Sequence, residues 1–393
     1  MSAKRKHIRH TAFQPYIFVG IMLVWASMVI NPSGLGIAYH TPEITQIIIT
    51  IFALLKWQKV HKQRVSGITL FSNSFAWVLV IFSFVLLPLL TAQSINGLQY
   101  LTAFMVIYIY ANTRITQRTM AVSGLAVAIS GLFILGVYSF TDILKDWNDN
   151  AISIFGIFSF FFYGISIYGQ LSRRKIIEFV IISILYIAAL FSTASRGGMI
   201  FIVIAVLVLI YRDKLKQTVG SPKNVIIFLT IPLALSFIVI AIANTSLYGQ
   251  INAINLFETG KTLFNGRENI WMDSYKKLID SYLLGIGHFD YNYHNSAVAC
   301  LTVFGIFGYI GWISLFKNYI KRCLPFIDDY VVYGALSSFY LIFIHQSIEL
   351  GFISFSPLYL PYMILGIALG RARLYREQGY KDATSYQRNN SRL

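Results

Sequence analysis

Twelve apolar runs in one chain leave few folds open to it. They lie near residues 14–31, 42–55, 68–90, 97–111, 119–140, 151–170, 177–192, 197–211, 224–243, 296–316, 329–349 and 353–370. A helix needs about 20 apolar residues to cross the hydrocarbon core of a bilayer, and most of these runs approach that length. Inside a bilayer the backbone N–H and C=O groups must be paired within their own segment, so such runs form helices. The expected class is therefore all-α: a polytopic integral membrane protein with about 12 transmembrane helices, built as a single membrane domain over residues 1–393. Charged residues make up 12% of the chain, about half the share of a soluble domain, which excludes an ordinary cytosolic protein. Two cysteines, Cys300 and Cys323, cannot make a disulfide framework, and no spacing of residues suggests a metal site.

A net charge of +16 would point to nucleic acid in a soluble protein. The position of the charges removes that reading. Assigning the loops alternately, from a cytoplasmic N-terminus, puts 26 of the 32 lysines and arginines in 1–13, 56–64, 112–118, 171–175, 212–223, 317–322 and 371–393. This is the positive-inside pattern. It predicts both termini in the cytoplasm, with 371–393 as a cytoplasmic tail, and no nucleic-acid partner. The N-terminal SAKRKHIRH and the run after it read as an uncleaved anchor. Six basic residues remain for the outer face, Lys145, Arg196, Lys261, Arg267, Lys276 and Lys277, against ten acids there including Asp142, Asp146 and Glu258.

One outer loop, 244–295, far exceeds the others, and a loop of that size is usually functional. Within it Trp271, Tyr275, Leu278 and Tyr282 recur at spacings of 4, 3 and 4, which predicts one apolar helix face. Glu268, Asp273, Lys276, Lys277 and Asp280 fall on the other. Such a helix would lie along the membrane interface or cap the bundle of spans.

Four constellations could carry chemistry, and each has a plainer alternative. In FSTASRGG, 191–198, Arg196 precedes two glycines that allow close approach. Its guanidinium either binds a phosphate bidentately or snorkels to the interface. In NGRENIW, 265–271, Arg267 stands at a helix start, where backbone N–H groups favour anions; the alternative is a surface pair with Glu268 or Asp273. In LLGIGHFDYNYHN, 283–295, His288 and His294 could accept a proton from a hydroxyl nucleophile, with Asn295 orienting a ring or holding a sugar hydroxyl. The alternative is a capping histidine. In IHQSIELGF, 344–352, His345 and Glu349 stand four apart, on one helix face, either as a structural pair or as a pair that takes part in catalysis by contacting substrate or supporting the residues that do. The predicted topology places all four on the extracytoplasmic side.

The SRGG turn opening a span, the long outer loop with GRENIW, the GIG turn, the HN before the next span and the FGIFGYIGW that follows at 304–312 occur in this order. This resembles the O-antigen ligase and polymerase superfamily, the Wzy/WaaL-type membrane glycosyltransferases, over about residues 190–312. The resemblance implies a GT-C-like enzyme in the bacterial inner membrane. Such an enzyme is metal-independent, inverting and free of cofactors. It takes a glycan from an undecaprenyl-diphosphate-linked donor on the outer face and gives it to a hydroxyl of a lipid-linked glycan or of lipid A–core. A chain-length regulator is a further partner it implies. Carried onto this chain, Arg196 and Arg267 correspond to diphosphate-binding arginines and His294 to the general base; His288, His345 and Glu349 are not covered by the motif. A polymerase of surface-polysaccharide repeat units is favoured over a ligase. A lipid-glycan flippase is the rival from another class, but it would show internal repeats and ionisable groups at mid-membrane.

Overall fold

The computed structural model describes residues 12–30, 41–62, 73–95, 97–141, 144, 149–167, 172–193, 195–254, 262–349, 351–354 and 357–390. Lys145, Lys261, Asp142, Asp146, Glu258 and the N-terminal basic cluster fall outside them. The helices are α1 (Pro15–Ile30), α2 (Thr41–Lys62), α3 (Ser74–Ala92), α4 (Leu98–Ala111), α5 (Gln117–Phe140), α6 (Asp149–Ile167), α7 (Arg173–Phe191), α8 (Arg196–Ile210), α9 (Arg212–Val219), α10 (Pro222–Ala243), α11 (Tyr248–Asn252), α12 (Arg267–Asp280), α13 (Ser296–Cys323), α14 (Tyr330–His345) and α15 (Tyr359–Asn390). No strand occurs among the described residues. Four helices there are long and apolar enough to cross a membrane: α3, α5, α10 and α13 with its 3-10 extension to Phe326. Five more, in α1, α4, α6, α8 and α14, are apolar but shorter. The number of spans thus continues to rest on the hydropathy pattern.

Burial follows from what surrounds each helix. α6 and α14 are enclosed by neighbours, α6 packing on α5 and α14 on α15 and α6. α2, α7 and α10 instead turn residues such as Ile47, Leu54, Ile184 and Phe237 outward. An exposed apolar face of this extent suits lipid contact.

Polar residues set the helix ends. Asp329 caps α14 by accepting from the Val331 and Val332 amides through Oδ1. Its Oδ2 accepts two hydrogen bonds from Arg371, at 3.0 and 2.9 Å, and one from Tyr375 at 2.7 Å. The 371–393 segment, expected as a polar tail, therefore begins as a packed continuation of α15, and the helix runs to Asn390. With the Lys216–Asp328 ion pair this forms one charged end of the bundle. Because α14 runs from Asp329 to His345, the candidate residues lie at the other end.

One break in α13 had no counterpart in the hydropathy pattern. Gly305 has φ 70° and ψ −177°, a conformation almost restricted to glycine. The carbonyls of Thr302 and Val303, freed by the break, accept from the Ile286 and Gly287 amides at 2.9 Å each, and the Ile306 amide donates to Leu283. The GIG turn thus replaces the missing helix bonds. A Cβ on Gly305 would stand 2.3 Å from the Leu284 carbonyl oxygen. Gly305→Ala is expected to destabilise the protein by about 1–3 kcal/mol from backbone strain alone, read as a lowered melting temperature in detergent. An unchanged melting curve would show that this turn contributes nothing to stability.

Candidate functional site

The site is assembled by two helix ends that complete one another. α14 stops at His345, and the turn that follows meets its last carbonyls: the Gln346 amide donates to Ile342 and Phe343, the Ser347 amide to Ile344 and the Ile348 amide to His345. The carbonyls of that turn are met in their turn from the start of α13: the Ser296 amide donates to Gln346 O at 3.1 Å, and Asn295 Nδ2 donates to Ser347 O at 3.2 Å and to Pro232 O of α10 at 2.8 Å. Asn295 Oδ1 meanwhile caps α13, accepting from the Ala297 and Val298 amides. Its amide is thus occupied on every side by this chain. It acts by holding three segments together rather than by reaching a sugar or the His294 ring.

That junction sets His294 and Glu349 side by side. His294 has φ 50°, a left-handed backbone conformation that histidine adopts more readily than most residues. Its Nδ1 lies 3.5 Å from Glu349 Oε2, is buried, and has no hydrogen-bond partner. Arg267, the first residue of α12, donates from Nη2 to the other carboxylate oxygen, Oε1, at 2.9 Å. Both side chains of that pair are largely buried, 15% and 10% exposed. The Arg267 Nε–H is also buried and unpartnered, so the guanidinium keeps donor capacity beyond its carboxylate. The alternative of a surface pair between Arg267 and Glu268 or Asp273 does not occur: the partner stands 82 residues away.

His345 and Glu349 do not share a helix face, because α14 ends at His345 and a turn carries Glu349 onward. His345 turns inward, its ring edge-on to Phe201 with centroids 5.1 Å apart. The first turn of α8 rests on this same turn: a Cβ on Gly197 would lie 2.4 Å from Ile348 Cδ1 and 4.0 Å from His345 Nε2. Arg196 is thereby brought close enough to Arg267 for their charges to repel, and its Nη2 donates to Thr262 O at 2.8 Å. Four of the expected positions, Arg196, Arg267, His294 and Glu349, therefore gather at one end of the bundle. His288 does not join them. It lines an open depression of about 610 Å³ with Thr91, Gln93, Ser94 and Ile95, and its Nδ1 bonds the Ile286 carbonyl at 3.0 Å. A carbonyl can only accept, so Nδ1 carries the hydrogen.

The helix within the long loop is shorter than its spacing predicts. Trp271 and Leu278 are buried, but α12 ends at Asp280 and Tyr282 lies beyond it, at φ 53° and 87% exposed. Glu268, expected on the polar face, is buried; its Oε1 accepts from Tyr248 at 2.5 Å and its Oε2 has no partner. The residue before His294 is held by Trp271, which donates from Nε1 to the Tyr293 carbonyl at 2.8 Å.

A charged clamp supports the same segment. Lys277 bridges Asp290 at 2.6 Å and Asp273 at 3.0 Å; Tyr293 donates to Asp290 and Tyr291 to Asp273. The Lys277 hydrogen bond holds the Asp273 carboxyl below its ordinary value. Burial alone would raise that of Asp290, but the bonds from Lys277 and Tyr293 outweigh it and lower it. A depressed carboxyl stabilises the fold fully above the unfolded value, about 3.9, and loses that contribution as pH falls through the folded value. Amide protection across 285–293 is expected to be constant from pH 5 to 8 and to drop in more acidic solution. Protection indifferent to acid would remove the clamp from the account.

Residues 181–313 match the family model described as O-Antigen ligase. No curated protein matches the chain. The matched stretch carries Arg196, Arg267, His288, His294 and Asn295, and leaves His345 and Glu349 outside. Helices able to cross a membrane together with this match point to the inner membrane and to a ligase- or polymerase-type function acting on lipid-linked glycans. Over residues 181–313, then, the chain is similar to the O-antigen ligase family.

Proposed function

We propose that this protein is a GT-C-like membrane glycosyltransferase that polymerises lipid-linked repeat units of a bacterial surface polysaccharide on the extracytoplasmic face. The observation that carries the reading is the gathering of two arginines and a histidine, from α8, α12 and the start of α13, at one end of the bundle. The donor is a glycan on undecaprenyl diphosphate. The acceptor is a hydroxyl of a second lipid-linked glycan, and lipid A–core takes that place if the enzyme is a ligase.

In this mechanism His294 Nε2 takes the proton of the acceptor hydroxyl as its oxygen attacks the anomeric carbon. The new C–O bond forms on one face while the bond to the diphosphate breaks on the other, so the configuration inverts. The bonding electron pair leaves with the diphosphate. Arg196 and Arg267 meet that growing charge with fixed donors, which favours the transition state over the bound donor. No step calls on a metal. The basic end of the bundle, with Arg371, Arg373 and Lys216, faces the cytoplasm by the positive-inside bias, which puts the reacting end outside.

The test is glycan analysis of a strain lacking this gene, with and without the wild-type copy. Single repeats on their final anchor support polymerisation. Full-length polymer held on the carrier lipid overturns it in favour of ligation. An unchanged profile sinks both.

A further inference from the structure

Resting on the reading of His294 as the base, we infer that Glu349, outside the matched family segment, is the positioning residue of the transfer site. Its carboxylate holds the His294 ring with Nδ1–H toward Oε2, leaving Nε2 to receive the acceptor proton, and it shares Arg267 with the donor.

The geometry supports this at each atom. Glu349 Oε1 accepts from Arg267 Nη2 at 2.9 Å, and Oε2 lies 3.5 Å from His294 Nδ1. That ring nitrogen is buried without a hydrogen-bond partner, a condition that costs free energy until a partner is met. A carboxylate oxygen can only accept, so contact with it requires the hydrogen on Nδ1. Catalytic hydrogen bonds are often long in an empty site and shorten on binding. The two segments are tied together next to the pair: the Asn295 side chain and the Ser296 amide donate to the carbonyls of Ser347 and Gln346. These bonds restrict the distance between ring and carboxylate.

The charges give the arrangement a direction. Around Glu349 stand Arg267 from α12, His294 before α13, and His345 at the end of α14, with Arg196 of α8 coupled to Arg267. Arg267 is paired with the carboxylate and offsets its charge. A diphosphate on the two arginines offsets their charge and leaves more of the carboxylate's charge to favour a protonated His294. Donor binding thus strengthens the base, and chemistry waits for the donor.

The experiment compares purified wild type, Glu349→Gln, Glu349→Asp and His294→Asn in lipid nanodiscs, using a polyprenyl-diphosphate-linked repeat unit as donor and acceptor. Initial rates are followed over pH 5–9 and over donor concentration. Glu349→Gln is expected to lower kcat by about 10²–10⁴-fold, the range for a lost general base or a misoriented histidine. Its donor KM should change by only a few-fold. The acidic limb of kcat should move to lower pH, since a neutral amide no longer favours the protonated ring. Glu349→Asp keeps the charge at a shorter reach and should retain part of kcat with the limb in place. It also keeps the proposal refutable if the glutamine variant folds poorly. Wild-type kcat in Glu349→Gln, or a loss that leaves the limb unmoved and that Glu349→Asp does not relieve, overturns the proposal alone. Wild-type rates in His294→Asn overturn the base assignment and this inference with it.

Discussion

His294→Asn protein is expected to insert and fold yet extend glycan about 10²–10⁴-fold more slowly than wild type, the usual contribution of a positioned general base. Asparagine is chosen because His294 sits at φ 50°, and asparagine tolerates that left-handed conformation where most residues do not. It can form hydrogen bonds but cannot take up the acceptor proton. The fold should be unaffected, since the bonds at this junction come from Asn295, Ser296 and the 346–347 carbonyls rather than from the imidazole. Transfer measured with purified protein in nanodiscs decides the matter. A rate equal to wild type would remove His294 from the chemistry, whatever the cellular phenotype.

Arg267 is expected to show the second large effect, and its substitutions separate catalysis from stability. Removing it by Arg267→Ala leaves the Glu349 carboxylate largely buried with no cation beside it. Breaking a buried pair in this way costs about 3–5 kcal/mol of stability, so lost activity in that variant would be ambiguous. Arg267→Lys keeps the charge near Glu349 but loses the planar fork that matches a phosphate. It should melt close to wild type and transfer glycan about 10²–10³-fold more slowly, the loss seen when one preorganised donor to a developing anion is removed. A lysine variant as active as wild type would show that Arg267 supplies charge alone. If Arg267→Ala is instead stable and active, Arg267 serves neither role.

Much of the architecture was legible along the chain because it depends on local rules. Apolar runs of span length become helices wherever lipid cannot satisfy the backbone. Gly285 and Gly287 were readable as a turn, and both have positive φ. The arginines stood out because the loops predicted to lie outside carry only six of the 32 lysines and arginines. What could not be read was which of these groups meet. Glu349 looked like a neighbour of His345 because four residues make one helical turn, but the turn after His345 takes it to residues 82 and 55 positions earlier. Glu268 looked exposed on a helical wheel; Tyr248, twenty residues away, buries it. His288 and His294 looked equivalent, and only the packing of the GIG turn on the broken helix at Gly305 sends them to different places.

The sequence by itself determined the helical, membrane-type class of this protein, the charge bias between its alternate loops, and the residue types available to the candidate site. Hydrophobic transfer, backbone pairing and charge asymmetry act over a few residues or over whole loops, so a linear pattern records them. The tertiary structure alone decided that Arg267, His294 and Glu349 form one cluster beside Arg196, that Asn295 is spent on scaffolding, and that His288 stands apart. Those outcomes depend on where helix ends fall and on which carbonyls they leave to be satisfied. Residues far apart in the chain settle that by contact.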